Sequence, residues 1–213
     1  MSVAILASVA CYLDFLSPLS MYYNLDLVLY RGQYWRLLSS FVFFGSISID
    51  FMFHLFFVIR YCRLLEEGHF RGRTADFVWM LFIGITLMLI LAVSVSMFSK
   101  IRFLGHSLSF MMVYIWGRDP INLDVQMNFL GLFPFTAPYL PWVLLLFSIV
   151  IGNPIETDLL GIVVGHIYYF LDVVYPLVAT RRGWSEGYRN ILITPAIIKY
   201  LFNTGHPDVM IEQ

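Results

Sequence analysis

The sequence predicts an all-α membrane protein built from six transmembrane helices, and three observations carry that prediction. Hydrophobic residues make up 60% of the 213-residue chain and charged residues 13%, where a soluble domain carries about a quarter charged. The apolar excess is gathered into six runs separated by short polar patches, the distribution of a polytopic chain. The basic residues, finally, divide unevenly between alternate connections. A net charge of −1 and the lack of any Lys/Arg block exclude a nucleic-acid binder held by phosphate contacts.

The runs lie at 1–16, 37–59, 77–99, 101–117, 139–152 and 159–179. Each is read as a helix, because a lone strand cannot satisfy its backbone polar groups in lipid. The first, within MSVAILASVACYLDFL, lacks a basic leader and a cleavage site, so it reads as a span and not as a removed signal. It is expected to be cut short at its start. The second, third and sixth runs are long enough for about 30 Å of hydrocarbon. The fourth and fifth reach roughly 21–25 Å at 1.5 Å per residue, so a locally thinned bilayer or protein neighbours must accommodate them. Cys11 and Cys62 lie far apart in or beside apolar segments, which argues against a structural disulfide and offers no zinc spacing.

With six spans, one side collects Arg60, Arg63, Arg71, Arg73, Arg118, Arg181, Arg182, Arg189 and Lys199, while the other has Arg31, Arg36, Lys100 and Arg102. The positive-inside rule therefore predicts cytosolic termini. The connection GNPIETD (152–158) carries acids alone, in keeping with the opposite side.

Polar groups within the runs are the candidate functional residues, since an ionisable side chain in lipid is costly unless it is paired or solvated. Asp50 and His54 stand one helical turn apart on the second run, where the plain structural reading pairs them. Asp172 lies deep in the sixth run, where the plain structural reading sets it near the cytosolic interface within reach of water. The same run contains Gly161, Gly165 and His166 in GIVVGHIYYFL. Glycines four apart leave a flat strip on which another backbone packs closely. A serine hydrolase would need an activated hydroxyl beside an imidazole and an oxyanion site. Ser107 and Ser109 are the candidates on the fourth run, but Leu108 and Phe110 follow them where a nucleophile needs space. Membrane-helix serines usually bond back to their own turn. No catalytic residue, cofactor or metal site is expected.

One more feature stands at the threshold of the second run, in QYWRLLSSFVFFG (33–45): the pair Trp35-Arg36. Trp alone fits an interfacial belt, and Arg alone can snorkel to headgroups. Together with six spans and a Gly-spaced sixth run bearing His166, the pair resembles the rhomboid superfamily, whose first loop carries Trp-Arg. The Gly-x-Ser-Gly motif of its active proteases is absent. RYCRLLEEGHFRGRTADF (60–77), MNFLGLFPFTAPYLPWVLLLFS (127–148) and DLLGIVVGHIYYFLDVVYP (158–176) are more specific. They are similar to the derlins, the catalytically inactive rhomboid relatives, and most to the derlin two and derlin three branch.

The resemblance implies a rhomboid-like domain over 1–202, a short cytosolic tail over 203–213, and an endoplasmic-reticulum membrane location. It implies a role in endoplasmic-reticulum-associated degradation, moving misfolded proteins back to the cytosol. The implied partners are a membrane ubiquitin-ligase complex with its lumenal adaptor, the valosin-containing AAA ATPase, misfolded substrates and further copies or relatives in an oligomer. The ATPase-binding tail motif is missing from 203–213, so the ligase complex is expected to supply that contact. Arg36 is expected to donate to backbone carbonyls and shape the first loop. The expected mechanism is a thinned-membrane path with Asp50 and His54 beside a lateral opening. The rival readings are a rhomboid-type protease and a non-conducting scaffold for the ligase.

Overall fold

The computed structural model describes residues 8, 10, 11, 13, 15–45, 49–129, 131, 133–183 and 191–202, without the side chains of residues 49, 50 and 129. Most of the first predicted run, and all of the tail over 203–213, lie outside the described residues. From residue 17 onward the chain is mostly helical. Three short helices come first: α1 (Pro18–Met21), α2 (Leu25–Arg31) and α3 (Arg36–Val42). Their limits are written in the sequence. Ser17 caps α1 ahead of Pro18 at the first helical position, where a missing N–H costs nothing. The Asn24 side chain accepts from the Leu27 N–H at 3.1 Å, Asp26 and Arg31 complement the α2 dipole, and Gly32 closes α2 at φ +64°.

Longer helices follow: α4 (Ile49–Glu67), α5 (Thr74–Ser94), α6 (Gly105–Arg118), α7 (Leu140–Ile151) and α8 (Ile155–Tyr169). A π-helical turn (Phe170–Val174) joins α8 to α9 (Tyr175–Arg181), and α10 (Ala196–Phe202) lies against α5. Among the described residues, two stretches are long and apolar enough to cross a membrane: α5, and the continuous Ile155–Arg181 helix of 27 residues. Only 28% of the most apolar window of each is buried within the protein. The core helix of a soluble protein would be mostly covered, so these exposed apolar faces need lipid. The remaining helices are shorter or carry more charge, and length and composition alone do not extend the count to six.

Two sequence expectations are corrected. The second run does not form one helix over 37–59. It breaks after Val42, where Phe43 turns extended and Gly45 takes φ +98°, a backbone state that L side chains rarely adopt. The helix restarts at Ile49 and runs to Glu67, its last turn joined by Arg63 Nε–Glu67 Oε1 at 2.7 Å. Nor is the molecule purely α-helical. The connection between the fourth and fifth runs holds an antiparallel hairpin, Gln126–Phe129 with Phe133–Thr136, too short to show a period in sequence.

The central element is α6, buried on nearly every side from Ser107 to Gly117. It packs most extensively on α8 and next on α4, with α7, α5 and α3 also touching it. Its lack of a polar face is what a helix surrounded by other helices requires.

Candidate functional site

The α6–α8 interface is set by glycine. A Cβ placed on Gly161 would strike the Ser107 carbonyl and the Phe110 Cβ, and one on Gly165 would come within 2.9 Å of the Tyr114 Cβ. The strip read from GIVVG therefore packs on α6. Close approach lets Ser107 Oγ donate across the interface to the Thr157 carbonyl at 2.6 Å. Ser109 Oγ donates to the Gly105 carbonyl one turn back, at 3.1 Å. Both hydroxyl protons are thus directed at main-chain oxygens. His166 projects to the exposed side and shares a 2.7 Å hydrogen bond between its Nδ1 and the Tyr114 hydroxyl.

Above this seam, at the end where α6 and α8 begin, a cavity of about 380 Å³ opens between α4, α6 and α8. Its lining includes His54, His106, Lys100, Arg102, Glu156 and Asp158. His54 is buried, and its ring meets that of His106 edge-on with centroids 3.9 Å apart. The side chain of Asp50, its expected partner, lies outside the description. Beside the cavity, α4 and α7 face each other through Phe53 and Phe147, whose centroids are 5.7 Å apart. A small void of about 30 Å³ lined by Phe57, Leu144 and Ser148 continues along that seam.

The same end is closed by the first loop, and Arg36 organises it. Arg36 is only 7% exposed. Its Nη1 donates to the carbonyls of Leu19 (2.9 Å) and Tyr22 (3.1 Å), and its Nε to Gln33 Oε1 (2.6 Å). The guanidinium also lies over the Tyr22 ring, 4.8 Å from its centroid. Five donors in a planar fork make this multiple bonding possible. Ser39 adds a bond to the Met21 carbonyl at 3.1 Å, and the Tyr23 N–H donates to the Arg102 carbonyl at 2.7 Å. Burial pushes the Tyr23 phenol up from its ordinary pKa. Trp35, by contrast, is 59% exposed and faces outward with Tyr30, Tyr34 and Leu38. The two residues of the pair do different jobs.

At the opposite end a second cavity, this one polar and of about 290 Å³, is lined by His69, Arg73, Asp76, Tyr168, Asp172 and Lys199 among others. His69 bonds Asp119 through Nδ1 at 2.8 Å and approaches Asp172 through Nε2 at 3.9 Å. One imidazole thus links the α4–α5 connection, the end of α6 and the π-turn. Asp172 is 31% exposed at its side chain, so water reaches it. Thr194 Oγ1 donates to Asp76 Oδ1 at 2.6 Å and ties the 191–202 segment to α5. Sequence reasoning missed His69, Asp119 and Thr194, whose partners are 50 to 118 residues away. It missed as well the cavity role of His106 and Asp158. An acid at the mouth of an apolar run, as at Asp119 and Asp158, is the one signal that could have found part of this.

Fold and site together define a membrane-embedded helical bundle, tightly packed along one glycine seam and hollowed by a cavity at each end. The chain belongs to the Der1-like family, whose model matches residues 1–195. Derlin-2.2 of Arabidopsis thaliana is 48% identical over 210 residues, covering 95% of this chain and 82% of its own length. Derlin-2.1 of Zea mays is 46% identical over 209 residues, with 95% and 80% covered. The probable derlin-2 homolog of Dictyostelium discoideum is 41% identical over 206 residues, with 95% and 77% covered. The derlin resemblance drawn from the sequence is thereby established.

Proposed function

We propose that the protein acts in endoplasmic-reticulum-associated degradation, as a non-enzymatic path along which misfolded chains return to the cytosol. In this reading it spans the endoplasmic-reticulum membrane six times with cytosolic termini, the His54–His106 cavity opening to the lumen and the His69 cavity to the cytosol. One observation carries the reading. Asp158 lines the first cavity and Tyr168 the second, on one helix and ten residues apart, roughly 15 Å at 1.5 Å per residue. That is about half of a 30 Å hydrocarbon core. Helices α6 and α7, of 14 and 12 residues, reach roughly 21 and 18 Å and favour a thinned bilayer around them. An unfolded segment exposes backbone groups that each cost several kcal/mol in lipid, so a shorter crossing between two open cavities lowers the barrier steeply.

The chemistry of the serines supports a non-enzymatic role, because Ser107 and Ser109 spend their protons on carbonyls. The force for extraction then comes from outside: a ubiquitin-ligase complex with its lumenal adaptor, and the valosin-containing ATPase recruited through it, in an assembly with further derlin copies. Photocrosslinkers placed on α4 and α7, flanking Phe53 and Phe147, test the proposal. Crosslinks to a client during its return to the cytosol are expected from membrane-facing positions. Crosslinks restricted to the soluble connections would make the protein a scaffold instead.

A further inference from the structure

We propose that the cavity around Arg73, Asp76, Asp172 and Lys199 binds the phosphoethanolamine headgroup of a membrane phospholipid. The cavity is polar and holds about 290 Å³, room for a headgroup and too little for a folded segment. Two cations, Arg73 and Lys199, and two carboxylates, Asp76 and Asp172, line it. Their charges cancel, which disfavours a purely anionic ligand and suits one with both signs. Arg73 is held for this by donating Nη2 to the His69 carbonyl at 2.9 Å. On the other wall the π-turn directs Asp172 toward His69 at 3.9 Å, longer than a hydrogen bond, so its oxygens still accept. The indole Nε1 of Trp79, on the same lining, has no hydrogen-bond partner.

A primary ammonium fits better than a choline. It has three N–H donors for Asp172 and Asp76, whereas choline has none and needs open aromatic faces. Trp79 stacks on Phe82 at 5.3 Å and the Arg73 guanidinium lies over Phe70, so the lining offers Tyr168 but no aromatic cage. Phosphate oxygens then meet Arg73 and Lys199 as charge-assisted acceptors. The acyl chains leave along exposed apolar side chains: Ile193 on the lining, and Leu177 and Ile197 on the helices that contribute Pro176 and Lys199 to it.

The inference rests on the proposed function only in setting this end of the bundle at a headgroup layer. Its test uses no client, so its failure and the failure of the pathway reading are separately visible. The full chain is purified from bilayers holding equal phosphatidylethanolamine and phosphatidylcholine, and retained lipid is counted by native mass spectrometry. Phosphatidylethanolamine is expected to exceed phosphatidylcholine about tenfold, the effect of one charge-assisted bond. Lys199→Gln, at the exposed rim, should lower its retention with the melting temperature unchanged, and Asp172→Asn should bring the two lipids to parity. Equal retention by the unaltered protein, or full retention by Lys199→Gln, overturns the site. Displacement by soluble phosphoethanolamine at matched concentration would overturn the lipid as its source.

Discussion

The two ends of the α6–α8 interface are held by different chemistry. Where the helices begin, backbone meets backbone: Gly161 lies against the Ser107 carbonyl, and Ser107 bonds the Thr157 carbonyl. These contacts close a long stretch of chain with one short side chain, that of Ser107, to order. Where the helices end, ionisable side chains make the connection: His69, Asp119 and Asp172, with Thr194 on Asp76. Those bonds compete with water and with any charged ligand, and the π-turn and Pro176 leave the backbone there less regular. A close-packed end resists rearrangement, whereas a solvated polar end exchanges partners at small cost. The difference assigns rigidity to the Gly161–Ser107 seam and adjustability to the His69 end.

Substitutions can break this contrast, beginning with the largest effect. Gly161→Leu should destabilise the bundle by about 3 kcal/mol or more, because the carbonyl it meets is backbone and cannot move aside. The readout is loss of the monodisperse peak in size exclusion and a lower melting temperature. Arg36→Ala strips the Leu19 and Tyr22 carbonyls and Gln33 of a charged donor, costing about 2–3 kcal/mol. It should slow turnover of a misfolded client while membrane insertion, measured by carbonate extraction, persists. Arg36→Lys should recover part of the loss, since an ammonium cannot span all three acceptors.

At the adjustable end the expected losses are smaller. His69→Ala should cost about 1–2 kcal/mol, seen in the melting temperature and in faster hydrogen exchange at the end of α6 and in the π-turn. Thr194→Val removes one bond worth about 1 kcal/mol and should raise protease cleavage within 191–202 while the rest of the bundle stays intact. Trp35→Ala should do least: an exposed anchor, its loss should leave the stability within about 0.5 kcal/mol of the parent value and the melting temperature nearly unchanged. If Trp35→Ala proved as damaging as Arg36→Ala, the division of labour within the pair would be wrong.

Much of this contrast could be read from the sequence at one end and little at the other. The glycine strip announces itself by spacing, and Trp35-Arg36 by its place at the edge of an apolar run. The apolar runs themselves marked α5, α6, α7 and the Ile155–Arg181 helix to within a few residues, because lipid-facing composition changes abruptly at a helix end. The break at Gly45 was hidden: apolar residues on both sides look the same whether or not the backbone turns between them. The polar end was hidden for another reason. His69, Asp119 and Asp172 come from three segments, and neither periodicity nor spacing relates residues that only the tertiary fold brings together. The placement of Asp172 depends as well on the π-turn, a local change of helix register that apolar patterning does not encode.

The central claim is that the membrane is thinned beside the short helices, leaving a crossing of roughly half the usual hydrocarbon between the two cavities. Electron cryomicroscopy of the protein in a lipid nanodisc measures this directly, as the distance between headgroup layers next to α6 and α7. The account predicts a local minimum there, several ångströms below the thickness at the nanodisc edge. A uniform bilayer of about 30 Å around the whole bundle would contradict it.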